Sequence, residues 1–278
     1  MLHFGKVLAH GFKPDQAAKD LYVSDFDNAA VEILKNRTYK LVGAIPLTDP
    51  DGNFTDTAGN LYVATPSGNV IQEYAPHSTS PTFTYSYGMS DPVGVSVDTQ
   101  GNVYEADYSP SGFVNEYAQQ SNAVAATCSP GGQVEGVAVD THTDVFVDYI
   151  ASTGGGKIVE YKDGLKGCEG TALSISLAFA GGMVLDKKGD LVVCDQGAAA
   201  VDVIAPPYTR VTGTLGSGYS DPFHVTVNKS NHLAFVTDVN DADVRVLKYP
   251  SGADVTTLGS ANGLTIPSSA VDGINAVY

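Results

Sequence analysis

The stretch PVGVSVDTQGNVYEADYSPSGFVNEY, from Pro92 to Tyr117, decides the fold, because the chain repeats it. PDGNFTDTAGNLYVATPSGNVIQEY, from Pro50 to Tyr74, is a close copy. Weaker copies run from Val134 to Tyr161, from Gly181 to Ile204 and from Pro222 to Tyr249. A unit of this length cannot bury its own apolar surface and must stack on the next. Asp56, Asp98 and Asp140 fall 42 residues apart; Asp186 follows after 46 and Asn228 after a further 42. Each ends a short apolar run such as VGVSVD or EGVAVD and opens a four-residue turn: TAGN, TQGN, THTD, KKGD or KSNH. An Asp or Asn there can accept a bond from a backbone N–H two residues on. A late Gly supplies the positive φ of a tight hairpin. These Asp residues therefore punctuate hairpins and are assigned no chemistry.

After each turn comes a strand (LYVAT, VYEAD, VFVDY, LVVCD), then a loop and a third strand (NVIQEY, FVNEY, KIVEY, AVDVI, DVRVLKY). A more variable fourth strand follows: FTYSYG, AVAATCS, TALSISL, VTGTLG or DVTTLG. Four strands per unit of about 42 residues, rich in Val, Tyr and Ile, predict β-propeller blades. Apolar residues on both strand faces fit sheets sandwiched between sheets. The chain opens on an orphan second strand, KDLYVSD, and ends on an orphan first strand, DGINAV. Together they complete one further blade, so the expected fold is all-β, with six four-stranded antiparallel blades. The C-terminal strand joins the N-terminal blade and closes the ring, which removes an exposed edge. The expected boundaries are an extension over 1–18 and one domain over 19–278. Blade 1 is 19–45 plus 270–278; blades 2 to 6 are 50–87, 92–129, 134–177, 181–216 and 222–259.

Composition narrows the function classes. Net charge is −16, from 31 acidic and 15 basic residues. Nucleic-acid phosphates and anionic membranes both select basic surfaces, so neither is an expected partner. No apolar run is long enough to span a bilayer as a helix. The start, MLHFGKVLAHGFKPDQAAKD, lacks the apolar core of a secretory leader. The expectation is a secreted or periplasmic protein whose leader is outside this sequence, with a cytosolic protein as the second reading. Of the three cysteines, Cys194 lies in the apolar run LVVCD and reads as a buried small hydrophobe. Cys128 and Cys168 fall near the ends of the outer segments of successive repeats. A bridge between them is geometrically plausible and would need an oxidising compartment. No CxxC pair suggests zinc.

The repeats resemble those of NHL-repeat propellers, centred on P-x-G-(apolar)3-D-x-x-G-N-(L/V)-Y-V-A-D. The match is carried by Pro92, Gly94, Asp98, Gly101, Asn102, Tyr104, Ala106 and Asp107, and by Gly52, Asp56, Gly59, Asn60, Tyr62 and Ala64. It covers roughly residues 19 to 278. Many NHL repeats carry Asn-x-Arg after the second strand; here that stretch is SGNV, SGFV or GGKI. Streptogramin lyases have related repeats with Trp in the second strand, and this chain has no Trp. A more distant resemblance is to gluconolactonase-type propellers, which hold a divalent cation at the channel mouth. Their E-G and D-G pairs are echoed by Glu135-Gly136, Asp51-Gly52 and Asp272-Gly273, while their Asn ligands find no match here.

In a blade the start of strand one and the exit of strand two share a face. The residue before each repeat's Gly then rings the channel mouth: Asp272, Asp51, Val93, Glu135, Gly181 and Phe223, with His224 in the Gly slot of the last copy. Strand-two exits add Asp25, Asp107, Asp195 and Asp238, with Thr65 and Tyr149 in the other two. Those four Asp residues belong to the repeat and are expected to tie down loops. Asp51, Glu135 and Asp272 are the candidate ligands for Ca²⁺ or Mg²⁺, which take oxygen donors. His224 is the candidate general base. Tyr87 and Tyr219 occupy matching loop positions and, with Phe223 and the acids, form a candidate contact surface for a protein, peptide or glycan. No G-x-S-x-G elbow appears, and the glycines of STGGGK lie in a blade loop. The first expectation is a non-catalytic, monomeric binding module acting through its acidic mouth face. The alternative is a metal-dependent hydrolase or lactonase, and a purely structural module of an envelope assembly ranks third.

Overall fold

The computed structural model describes residues 20–273. It contains six four-stranded antiparallel sheets. Blade 3 shows the plan: Pro92–Val97, Val103–Asp107, Phe113–Tyr117 and Val124–Cys128 run from the axis outward. The hairpin joining its first two strands is held by Asp98, whose Oδ1 accepts from the N–H groups of Gln100 and Asn102. Gly101, at φ +85°, takes the left-handed turn position that a Cβ would strain. The same clasp recurs at Asp56, Asp140 and Asp186. At Asn228 the side-chain oxygen accepts from His232 and Leu233 instead.

Core packing follows from both strand faces being apolar. Six clusters of buried residues each combine side chains of two successive blades. Tyr62, Tyr104, Phe146 and Phe235, at matching second-strand positions, are fully buried in them. Each such ring contributes about 1.5–3 kcal/mol by leaving water, so the contacts between blades help hold the ring together.

The ring closes through Pro267–Asp272, which pairs antiparallel with Asp20–Asp25 and completes the sheet of Ala30–Lys35 and Lys40–Pro46. The closing strand is therefore PSSAVD and not DGINAV, which begins at its last residue. Pro267 takes the place that Pro50, Pro92 and Pro222 hold in other blades. The expected extension over 1–18, and residues 274–278 of the expected first blade, lie outside the described residues. Cys128 and Cys168 form a disulfide, with Cα atoms 5.4 Å apart and 40 residues between them in sequence. It ties the outer strand of blade 3 to the outer loop of blade 4. A loop of that length adds roughly 3–4 kcal/mol of stability. Cys194 is free and buried.

Candidate functional site at the channel mouth

The first strands pack so closely around the axis that the repeat's Gly is a steric requirement. The Gly52 N–H donates to Val93 O across blades, and a Cβ on Gly52 would lie 2.3 Å from that oxygen. At Gly182 a Cβ would lie 2.1 Å from His224 Nδ1. The His224 ring therefore occupies the space that Gly182 leaves open. Below it the tunnel encloses about 40 Å³ between the first strands. That is room for a few waters.

His224 Nε2 stands 3.9 Å from Asp51 Oδ1. His224 has 12 % of its side chain exposed and Asp51 only 4 %. Asp51 Oδ1 has no hydrogen-bond partner. Burial, then the charges of Glu135, Asp49 and Asp91, push the Asp51 carboxyl well above its usual range, and the Gly52 amide only partly offsets this. Burial, then Asp91 and Asp221, push Glu135 up to about 8. Burial alone pushes His224 down to about 4. At neutral pH the imidazole is uncharged, and burial together with mutual repulsion favours the neutral form of the inner carboxyls.

Asp148 is a member of this group that the sequence reading passed over. It is fully buried, with no partner in hydrogen-bond geometry for either oxygen. Burial and the Glu135 charge push it well up, and the Gly136 amide offsets little. Its signal was legible. Asp148 stands where the other second strands carry Ser24, Ala64, Ala106, Cys194 and Thr237, small side chains all.

Around this pocket, Phe223 meets Phe26 edge-on with ring centroids 6.2 Å apart, and its ring is 5.3 Å from that of His224. Tyr87 is 69 % exposed. Tyr219, expected to match it, is buried instead: its hydroxyl donates to Leu215 O and Arg245 lies over its ring. The two loops differ in register: Tyr219 stands three residues before Pro222, in the place of buried Met89 before Pro92, whereas Tyr87 stands five before Pro92, in the place of Ser217.

Asp272 is not at the mouth. It pairs with Leu21 at the far end of the closing strand, where its Oδ1 accepts from Asn36 Nδ2 and the Gly273 N–H. Burial pushes it up to about 6. The D-G pair at 272–273 imitates the D-G of 51–52, but it lies at the opposite end of the closing strand, where the Gly273 N–H donates to Asp20 O. The mouth position in that blade belongs to Ser268, fully buried, whose Oγ donates to Pro50 O. The three expected metal ligands are thus not together. Among the described residues, no group of three or more His, Cys, Asp or Glu side chains is placed to hold a metal ion.

The strand-two exit acids are loop anchors. Asp107 accepts from the N–H groups of Ser90, Asp91 and Ser109. Asp195 accepts from Ala178, Phe179 and Ala198, and Asp238 from Ser220, Asp221 and Asp241. Asp25 accepts from Thr265, Ile266 and Asn28. Each carboxylate fixes the loop that leads into a first strand, and so positions the mouth.

These features define a six-bladed β-propeller, and comparison with solved structures gives the same class. One chain of the crystal structure of a nidogen/laminin complex superposes with a TM-score of 0.76 at 16 % identity, covering 91 % of this chain and 97 % of that one. A Bacteroides caccae protein of unknown function superposes with a TM-score of 0.70 at 12 % identity, again over 91 % and 97 %. At such identities the likeness establishes the fold alone. No protein-family profile matches the sequence, and no curated protein does. Among the described residues no helix is long and apolar enough to cross a membrane.

Proposed function

We propose that this chain is a non-catalytic, NHL-like propeller that binds a protein or peptide through its channel-mouth face. The observation carrying this reading is the mouth itself. Anchored loops bring Phe26 and Phe223 together beside His224 and the unpartnered Asp51 oxygen, and Tyr87 stands exposed on the loop that leads into blade 3. Aromatic rings beside desolvated polar groups are the usual makings of an interface hot spot. The likeness to a chain from a nidogen/laminin complex fits such a role. A monomer in a secreted or periplasmic setting is part of the proposal, supported by the Cys128–Cys168 bridge, since such bonds persist in oxidising compartments.

Peptide and glycan arrays probed with the native chain test this. Ligands found should lose binding to Phe223→Ala and Tyr87→Ala, and keep it with Lys188→Ala in a hairpin at the opposite end of the blades. Binding only to glycans would replace the peptide reading. Ligands indifferent to both mouth variants would refute the mouth face.

A further inference from the structure

At the rim of the ring, a turn between third and fourth strands meets the outer strand of the blade before it, and the fastening differs between junctions. Between blades 2 and 3, the Asn122 side chain accepts from the Ser86 N–H and donates to Thr84 O. Between blades 6 and 1, Asn262 Nδ2 donates to Tyr39 O. Between blades 3 and 4 the fastening is the Cys128–Cys168 bond. The other two junctions close without a covalent link, so opening this one need not open the ring. The two sulfurs are unequally placed. Cys128 ends the outer strand of blade 3, is 1 % exposed and packs in the core cluster shared by blades 3 and 4. Cys168 is exposed, as are Lys166, Gly167 and Glu169 around it. A thiolate attacks a disulfide along the S–S axis, from behind the sulfur it takes, and access decides which sulfur that is. The core lies behind Cys128, so attack from solvent falls on Cys168.

The turn is pinned before the bond and loose after it. The Asp163 N–H donates to Asp144 Oδ1, and Leu165 is fully buried in the same cluster as Cys128. Beyond Cys168 the outer strand Gly170–Ala172 is three residues long, exposed throughout and paired with Val159–Tyr161 alone. We propose that Cys168 is a thiol-exchange site, at which a low-molecular-weight thiol of the cysteine or glutathione class opens the bond and unlatches the outer strand of blade 4 while the ring stays closed. The incoming thiolate bonds to Cys168 Sγ as the Cys128–Cys168 bond breaks. The electron pair leaves on Cys128 Sγ, which takes a proton from solvent. One disulfide is exchanged for another. A second thiolate can expel Cys168 as a thiol and leave with the first as a small disulfide. Cys128 stays buried beside Cys168, so on removal of thiol its thiolate attacks the mixed disulfide, expels the small thiolate and re-forms the bond.

The test incubates the folded full chain with about 10 mM reduced glutathione, quenches with N-ethylmaleimide and maps the cysteines by mass spectrometry. Glutathione or maleimide should be found on Cys168, and Cys128 should take maleimide only after denaturation. Trypsin should cut after Lys166 at least about tenfold faster in the exchanged protein than in the untreated chain, because local opening becomes frequent there. The near-UV circular dichroism should be retained. Cys128→Ala, a latch fixed open, should show the fast cleavage without thiol; if it fails to fold, Cys168→Ala, changed at an exposed position, takes its place. A bond that survives thiol in the folded chain, label on Cys128 before denaturation, or unchanged cleavage after Lys166 would each overturn the site. Loss of the near-UV signal on exchange would overturn the latch, since the bond would then be holding the ring itself.

Discussion

At the scale of single residues, the mouth trades stability for unpaired charge-capable groups. A carboxyl held protonated in the fold, but free to ionise in the unfolded chain, makes stability fall as pH rises between its two pKa values. For Glu135 that window runs from its ordinary 4.5 to about 8. His224 works the other way. Its lowered pKa of about 4 makes stability rise with pH from there to 6.5, because the unfolded chain binds the proton first. The two trends oppose each other at acid pH and part company above 6.5. Unfolding free energy measured by denaturant should therefore fall between pH 6.5 and 8, with Glu135 alone contributing about 2 kcal/mol. Glu135→Gln should flatten that fall; an unchanged slope would mean that Glu135 is already ionised. A second residue-scale prediction concerns the shared space of Gly182 and His224. Gly182→Ala should cost about 1–3 kcal/mol, since overpacking forces the ring aside. Adding His224→Gly should recover much of that loss, and a double-mutant cycle reads the coupling.

At the scale of the elements, the exit of strand two is the joint that sets the mouth. Asp238 holds the N–H groups of Ser220 and Asp221 ahead of Phe223 and His224, and that of Asp241 behind. Asp238→Ala leaves three donors unmet and should destabilise by roughly 2–4 kcal/mol. Amide exchange at Ser220 and Asp221 should accelerate more than in the hairpin at Asn228, and uniform acceleration would point to global unfolding instead. Blade 4 lacks this joint. Tyr149 takes the exit position there, and Asp148 sits one residue earlier, buried without a partner. Asp148 anchors no loop, since neither of its oxygens has a donor in hydrogen-bond geometry. That single displacement separates the chemistry of the mouth from the scaffolding of the repeat.

At the scale of the whole molecule, the ring is held by interfaces and by one closure. Pro267–Asp272 pairs with Asp20–Asp25, and its Ala270 and Val271 pack into the clusters on either side of blade 1. A chain ending at residue 266 should lose both clusters' closing contacts and melt more than about 10 °C lower. A melting temperature within a few degrees of the full chain would mean that the blades hold without closure. Six blades of four strands were legible in the chain, because turn residues and apolar runs are local and recur at a nearly constant interval. The loop-anchoring acids were legible for the same reason. The place of Asp272 was not, since two D-G pairs look alike until strand pairing puts one at the mouth and the other at the opposite end of the closing strand. The repeat register did place Asp51, Glu135 and His224 around the mouth; Asp148 beside them was passed over. These four come from three different blades, 84 to 173 residues from Asp51 to Glu135 and His224. Their burial and their shifted proton affinities exist only once the ring has closed around them and excluded water.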